Sequence, residues 1–222
     1  MQEALQSISN GLYVIGAGVN PNFGGALVDA VTQISATPPM IMLSMMNTSH
    51  TLAAIIKNDE FSLSVLPIDT PPFVIANFGF QSGNSVDKWK EVDYEIKDGL
   101  PYIKDSVAQI KFKQKEIIKY PNNTIIIAEP IKYYDFNNKE PLTYKYYREH
   151  LKPLCQKAFG LHQACKITSS PKEEGKTHLN RLKKWTCQIC YYEYDGNIAF
   201  EELDENWRCP YCGVSKDMFE NI

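Results

Sequence analysis

Four of the six cysteines in this 222-residue chain stand as two pairs near its end, Cys187/Cys190 and Cys209/Cys212, with eighteen residues between the pairs. Cysteines separated by two residues can turn both sulfurs toward one point, and two such turns facing each other make a tetrahedral cage of four thiolates. That cage suits iron or zinc. Structural zinc ribbons use the same spacing, so spacing alone leaves open a folding staple and a redox centre. Cys155 and Cys165 lie ten residues apart with His162 between them and read as plain reduced thiols.

The residues around the two pairs resemble rubredoxin. Trp185 stands two before the first cysteine; Tyr192, Tyr194 and Asp195 follow the first pair as Tyr-x-Tyr-Asp. Phe200-Glu201-Glu202-Leu203, then Trp207, then Cys209-Pro210-Tyr211-Cys212-Gly213, with Lys216 and Phe219 beyond, complete the pattern. The rings have a physical task, because a domain of about 40 residues buries too little surface to fold without bulky side chains and a metal staple. Tyr191 replaces the glycine usual after the first pair, Gly213 keeps the second, and the stretch between the pairs is shorter than in free-standing rubredoxins. The resemblance implies one iron held by Cys187, Cys190, Cys209 and Cys212. Such a site passes single electrons and has no open position for substrate.

Something must fill and empty that site. Hydrophobic residues make up 44% of the chain and charged ones 22%, the ordinary balance of a globular protein with one sizeable core and a small module. The net charge of −3 hides an asymmetry: residues 185–222 carry 2 basic and 8 acidic side chains, residues 166–184 carry 6 basic and 2 acidic. An acidic end argues against nucleic-acid binding and fits docking on a positively charged redox partner, although a solvated acidic surface would look the same. The first residues lack the basic-then-apolar layout of a secretory signal, and no apolar run reaches the length of a membrane span, so a cytoplasmic protein is expected. Residues 166–184, polar and aperiodic, read as a linker between a domain of residues 1–165 and one of residues 185–222.

From Gly11 onward the chain reads as short β segments at 12–15, 26–35, 40–46, 61–66, 108–119 and 124–134, punctuated by Pro21-Asn22, Pro38-Pro39, Pro121-Asn122-Asn123 and Asn137-Asn138. The last two segments predict a hairpin. One helix is expected to begin around Asn47-Thr48-Ser49-His50-Thr51, capped by Asn47 or Thr48, and a second after Thr70-Pro71-Pro72. After Leu154 the pattern turns irregular. Many strands and few helices predict a mainly β fold, a closed or half-open barrel. Gly16-Ala17-Gly18 invites a dinucleotide fingerprint, but Pro21 stands where its third glycine belongs and no βαβ unit follows, so these glycines read as a turn or strand end.

The run Gly24-Gly25-Ala26-Leu27-Val28-Asp29-Ala30-Val31-Thr32-Gln33-Ile34-Ser35, then Pro38-Pro39, then Asn47-x-Ser49-x-Thr51 opening a helix, resembles the flavin reductase-like FMN-binding split barrel. So do Phe78-Gly79-Phe80-Gln81-Ser82-Gly83, Asp87-Lys88-Trp89 and Pro141-Leu142-Thr143-Tyr144. A helix start offers unpaired N–H groups and a positive dipole end, which suits a phosphate. The resemblance places the FMN phosphate at Asn47, Ser49, His50 and Thr51, with Ser82 and Gly83 nearby and Lys88 as counter-charge. It lays the ring system against Gly24 and the strand Asp29, Ala30, Val31, Thr32 and Gln33, with Phe78 and Phe80 as covers or core residues. No side chain need act as acid or base, because the flavin accepts the hydride. The family's flavin sits at a two-fold interface, which implies a homodimer, and Tyr144, Tyr146 and Tyr147 suit such a contact. As a whole the chain resembles the high-molecular-weight rubredoxins. That resemblance implies NAD(P)H as hydride donor, FMN, then rubredoxin iron, and an acceptor such as a flavodiiron protein that reduces dioxygen or nitric oxide.

Overall fold

Nine strands of the N-terminal part follow from where β-branched and aromatic residues alternate with small ones. In the computed structural model, which describes residues 8–83, 86–169, 185–187, 194, 198–209 and 215–221, they are β1 (Tyr13–Val19), β2 (Asn22–Val28), β3 (Val31–Ala36), β4 (Pro39–Met46), β5 (Glu60–Val65), β6 (Tyr94–Lys97), β7 (Leu100–Ile103), β8 (Ala108–Lys119) and β9 (Asn123–Phe136). Seven form one sheet in the order β2-β1-β5-β8-β9-β4-β3, with β6 and β7 paired separately. All of its pairings are antiparallel. Its two edge strands, β2 and β3, are consecutive in the chain and joined only by Asp29 and Ala30. A link that short spans about 11 Å at most, so the sheet must roll until its edges nearly meet. The result is a barrel left split between β2 and β3.

Both faces of β1 are buried, because alternate residues serve two cores. Ile15 and Ala17 join Leu43, Met45, Leu52, Ile55, Phe61, Leu63, Phe112, Ile126 and Ala128 in one cluster, with the Phe61 and Phe112 rings stacked at 5.4 Å. Leu12 and Val14 point the other way, toward Leu66, Ile75, Phe78, Trp89, Leu142 and Tyr147. The first core receives helix α1 (His50–Asn58), and the second receives helix α2 (Pro72–Gly79), which opens on proline.

Several expectations need correction. The segment 26–35 is not one strand: it breaks at Asp29, where the Val31 amide turns back to the Asp29 carbonyl at 2.9 Å. Gly16 lies in the middle of β1, opposite Gly25 and Ser62, rather than at a turn. Helix α1 begins at His50 and is capped by Ser49, whose hydroxyl accepts from the Leu52 amide at 3.4 Å; Asn47 and Thr48 precede the cap. The stretch after Leu154, expected to be irregular, is helical: a π-turn at Tyr147–Leu151 leads into α3 (Lys152–Ser169). Of the proposed linker, residues 170–184 lie outside the described residues. The β6–β7 hairpin escaped the sequence reading although Asp98-Gly99, at φ of 46° and 80°, is a strong hairpin signal.

The chain falls into two compact units, residues 1–159 and 160–222. In the second unit β10 (Trp185–Cys187) pairs antiparallel with β11 (Phe219–Asn221), setting Cys187 opposite Phe219. Phe200 is the centre of its core, within 4.7 to 5.6 Å of the Trp185, Tyr194, Trp207 and Phe219 rings. Lys216 closes the cluster by donating to the carbonyls of Glu201 and Leu203, each at 2.8 Å. The expected reliance of a small module on aromatic rings is met in this core.

Candidate functional site

The helix start at α1 is held from two sides. Beneath it, Asn47 spends its side chain on the β8–β9 hairpin, donating to the Tyr120 and Pro121 carbonyls at 2.9 and 3.1 Å and accepting from the Thr124 hydroxyl at 2.7 Å. This anchors the start of the helix, whose first-turn amides at His50 and Thr51 the helix itself cannot satisfy. Beside it runs β2. Gly24 is buried, and a methyl group there would sit 3.1 Å from Thr51 Cα and 3.2 Å from Thr51 Oγ1, so bare backbone passes directly against the first turn. On a third side a methyl on Gly83 would lie 3.7 Å from His50 Cδ2, which brings the Ser82-Gly83 turn to the same place.

The structure therefore gathers Gly24, Ser49, His50, Thr51 and Gly83 around one helix N-terminus, a shape and polarity that fit a phosphate group. Asp29 and Ala30 form the link across the split, where the Ser44 amide donates to the Ala30 carbonyl at 2.9 Å. This puts the link at the end of β4 from which α1 departs. Thr32 and Gln33 are exposed on edge strand β3, the Gln33 amide donating to the Ser35 carbonyl at 3.0 Å. Val31 is half-buried opposite Leu43.

Lys88 sits elsewhere than a surface counter-charge would. It is 5% exposed and donates from Nζ to the Phe78 carbonyl at 3.0 Å, capping the last turn of α2; burial pushes its ammonium down to about 8. Phe78 is a core residue, edge-on to Trp89 at 4.8 Å, and Phe80 meets Phe159 at 5.8 Å. Tyr147 is buried in the outer core, with Tyr144 and Tyr146 packed against it. Cys155 is a buried thiol whose burial pushes its pKa up to about 11, which suits an inert side chain.

Two residues went unnoticed as structural parts of the site. Asn77, buried in α2, donates to the Lys88 carbonyl at 2.6 Å and accepts from Gln81. Trp89 donates from Nε1 to the Gly24 carbonyl at 3.2 Å. The signal for Asn77 was legible, since it is a lone amide inside the apolar run Ile75-Ala76-Asn77-Phe78.

At the other site Cys187 and Cys209 are buried among Phe200, Phe219 and Trp207, while Cys190 and Cys212 lie outside the described residues. Two shielded thiols packed on an aromatic core fit a soft metal ion, and thiolates are the donors that iron accepts in such cages.

Residues 5–154 match the flavin reductase like domain. Over 99% of both chains this protein is 30% identical to a high molecular weight rubredoxin of Moorella thermoacetica. Over 65% of this chain and 87% of the relative it is 29% identical to a ferric-chelate reductase (NAD(P)H) of Archaeoglobus fulgidus. An NADH:FAD oxidoreductase of Streptomyces globisporus C-1027 shares the fold, with a TM-score of 0.59 at 19% identity over 64% of this chain and 84% of that one. The chain belongs to the flavin reductase-like family and, along its whole length, to the high-molecular-weight rubredoxins.

Proposed function

We propose that this chain is an FMN-containing electron carrier that takes a hydride from NAD(P)H and passes single electrons through a four-cysteine iron centre to an acceptor protein. The observation that carries the proposal is the contact between Gly24 and Thr51, a bare strand laid against a hydroxyl-bearing helix start, in a chain that ends in two Cys-x-x-Cys pairs. When bound, flavin converts a two-electron donor into a one-electron one, and a four-thiolate iron carries one electron at a time. The chain's own residues do the rest. Ser49, Thr51 and the first-turn amides of α1 bind the phosphate, and Gly24 and the open edges at Asp29 to Gln33 take the ring. Cys187, Cys190, Cys209 and Cys212 would hold the metal.

The nicotinamide donor is supported by the NAD(P)H in the name of the Archaeoglobus relative. A flavodiiron acceptor in the cytoplasm is the reading that the high-molecular-weight rubredoxin family favours. None of the described helices is long and apolar enough to cross a membrane. A homodimer is supported by the outward face of β4, β8 and β9. Met42 lies opposite Ile127 and Ser44 opposite Ile125, which also faces Ile118, while the alternate residues Leu43, Met45, Ile126 and Ala128 fill the barrel. Iron, zinc and flavin content of the purified full chain tests the proposal directly. One iron and one FMN per chain are expected, with the red colour of ferric thiolate; zinc in place of iron would leave a flavin reductase with a structural ribbon, and neither chromophore would end the proposal.

A further inference from the structure

Gly24 lies buried on edge strand β2, opposite Ala17 of β1. Its carbonyl accepts from a side chain sixty-five residues away, the indole N–H of Trp89 at 3.2 Å. Gly24 is also the residue whose backbone touches the first turn of α1. The indole and the hydroxyl of Thr51 are thus separated by a single glycine.

The ring itself has little freedom. It is 1% exposed, edge-on to Phe78 at 4.8 Å and tilted against Tyr94 at 5.5 Å. Its amide donates to Asp87 Oδ1 at 3.1 Å, and the preceding carbonyl, that of Lys88, accepts from Asn77 Nδ2 at 2.6 Å. Packing alone would be served by any large ring; what the indole adds to a plain ring such as phenylalanine's is a donor at its edge.

We propose that Trp89 is a positioning residue for the phosphate site: its indole N–H holds the Gly24 carbonyl of β2 and thereby sets how closely that strand approaches Thr51. The inference rests on the reading that FMN binds with its phosphate at the start of α1. Trp89 touches neither phosphate nor ring; it acts through Gly24. A lost N–H therefore costs the contacts that the phosphate makes and spares those of the isoalloxazine.

The test compares FMN with riboflavin, which has the same ring and no phosphate, binding to the flavin-stripped full chain by quenching of flavin fluorescence. Trp89→Phe keeps an aromatic ring and removes the donor. It is expected to weaken FMN about fivefold to tenfold, the size of one buried hydrogen bond, and riboflavin less than twofold, so that the preference for FMN falls. Equal weakening of both ligands would make Trp89 a structural residue only, and an unchanged preference with unchanged affinities would remove it from the site; either overturns the inference. Thr51→Ala separates this outcome from failure of the underlying reading. If Thr51→Ala lowers the preference and Trp89→Phe does not, the positioning role alone is refuted, whereas a preference indifferent to Thr51→Ala refutes the phosphate reading and this inference with it. Should Trp89→Phe fail to fold, Gly24→Ala pushes the same strand off Thr51 and is expected to lower the preference in the same way; no change in that variant refutes the coupling through Gly24.

Discussion

Lys88 offers a test of the structure that does not depend on any ligand. Its ammonium is 5% exposed, and desolvation lowers its pKa to about 8, against about 10.4 in an unfolded chain. Below pH 8 both states hold the proton, and the fold carries the cost of burying the charge. Between pH 8 and about 10.4 the folded chain has released a proton that the unfolded chain still binds, so stability rises with pH across that window. The two values give on the order of 2 to 3 kcal/mol of added stability between pH 7 and pH 10, about half of it gained by pH 9. Other groups titrate there too, so the quantity to measure is the difference between wild type and Lys88→Met, in urea, read on the barrel's own transition. At pH 7 the substitution removes the buried charge but orphans the Phe78 carbonyl, and the two effects of about 1 to 3 kcal/mol offset each other. At pH 10 only the second remains. Wild type should therefore gain on the variant by about 1 M in urea midpoint between the two pH values. A difference that stays flat with pH would mean that water reaches the amine and that its burial under α2 is wrong. Loading with FMN adds a second readout: if the phosphate reaches this amine, its pKa rises and the window moves to higher pH.

Other consequences are as direct. Cys209→Ser should abolish reduction of the acceptor while NAD(P)H still bleaches the flavin; loss of both activities would mean that the two centres do not act in series. Ser49→Ala removes the hydroxyl that caps the Leu52 amide, and should cost about 1 kcal/mol in barrel stability together with a measurable loss of FMN retention on gel filtration. An unchanged retention would move the phosphate away from α1. Ile125→Lys places a charge in the outward apolar face between Ser44 and Ile118; sedimentation should show monomers, and an intact dimer would place the interface elsewhere.

How far the sequence could be read depended on whether a feature is local. The β8–β9 hairpin was legible because Pro121-Asn122-Asn123 turns the chain between runs rich in isoleucine, and the two cysteine pairs declare their geometry by spacing. The resemblance pointed to a split barrel, but the place of the split was not legible in the local pattern. Residues 26–35 form a continuous run of small and β-branched residues, and the break at Asp29 exists because the sheet must roll there, which is a property of strands far away in sequence. Helix α3 was hidden by Pro153 and Gly160, which punctuate a segment whose apolar residues follow no clean period. Lys88 was read as the phosphate's counter-charge, and its burial could not be foreseen, because it comes from the packing of the 3₁₀ turn at Lys88–Glu91 against a distant part of the chain.

The split also bears on how the ring would be held. The run Leu27, Val28, Asp29, Ala30 and Val31 has a single polar side chain, so side chains there can do little to meet the ring's polar edge. A site built from the open edges of β2 and β3 does not need them, since each residue there offers the same amide and carbonyl whatever its side chain. Thr32 and Gln33 are exposed, and the Gln33 amide is occupied with the Ser35 carbonyl. Thr32→Ala and Gln33→Ala should accordingly each change the riboflavin dissociation constant by less than about threefold, below the effect of one lost hydrogen bond of about 1 kcal/mol. Affinity measured with riboflavin isolates the ring from the phosphate. A tenfold loss in either variant would show that side chains read the ring and that the open strand edges do not suffice.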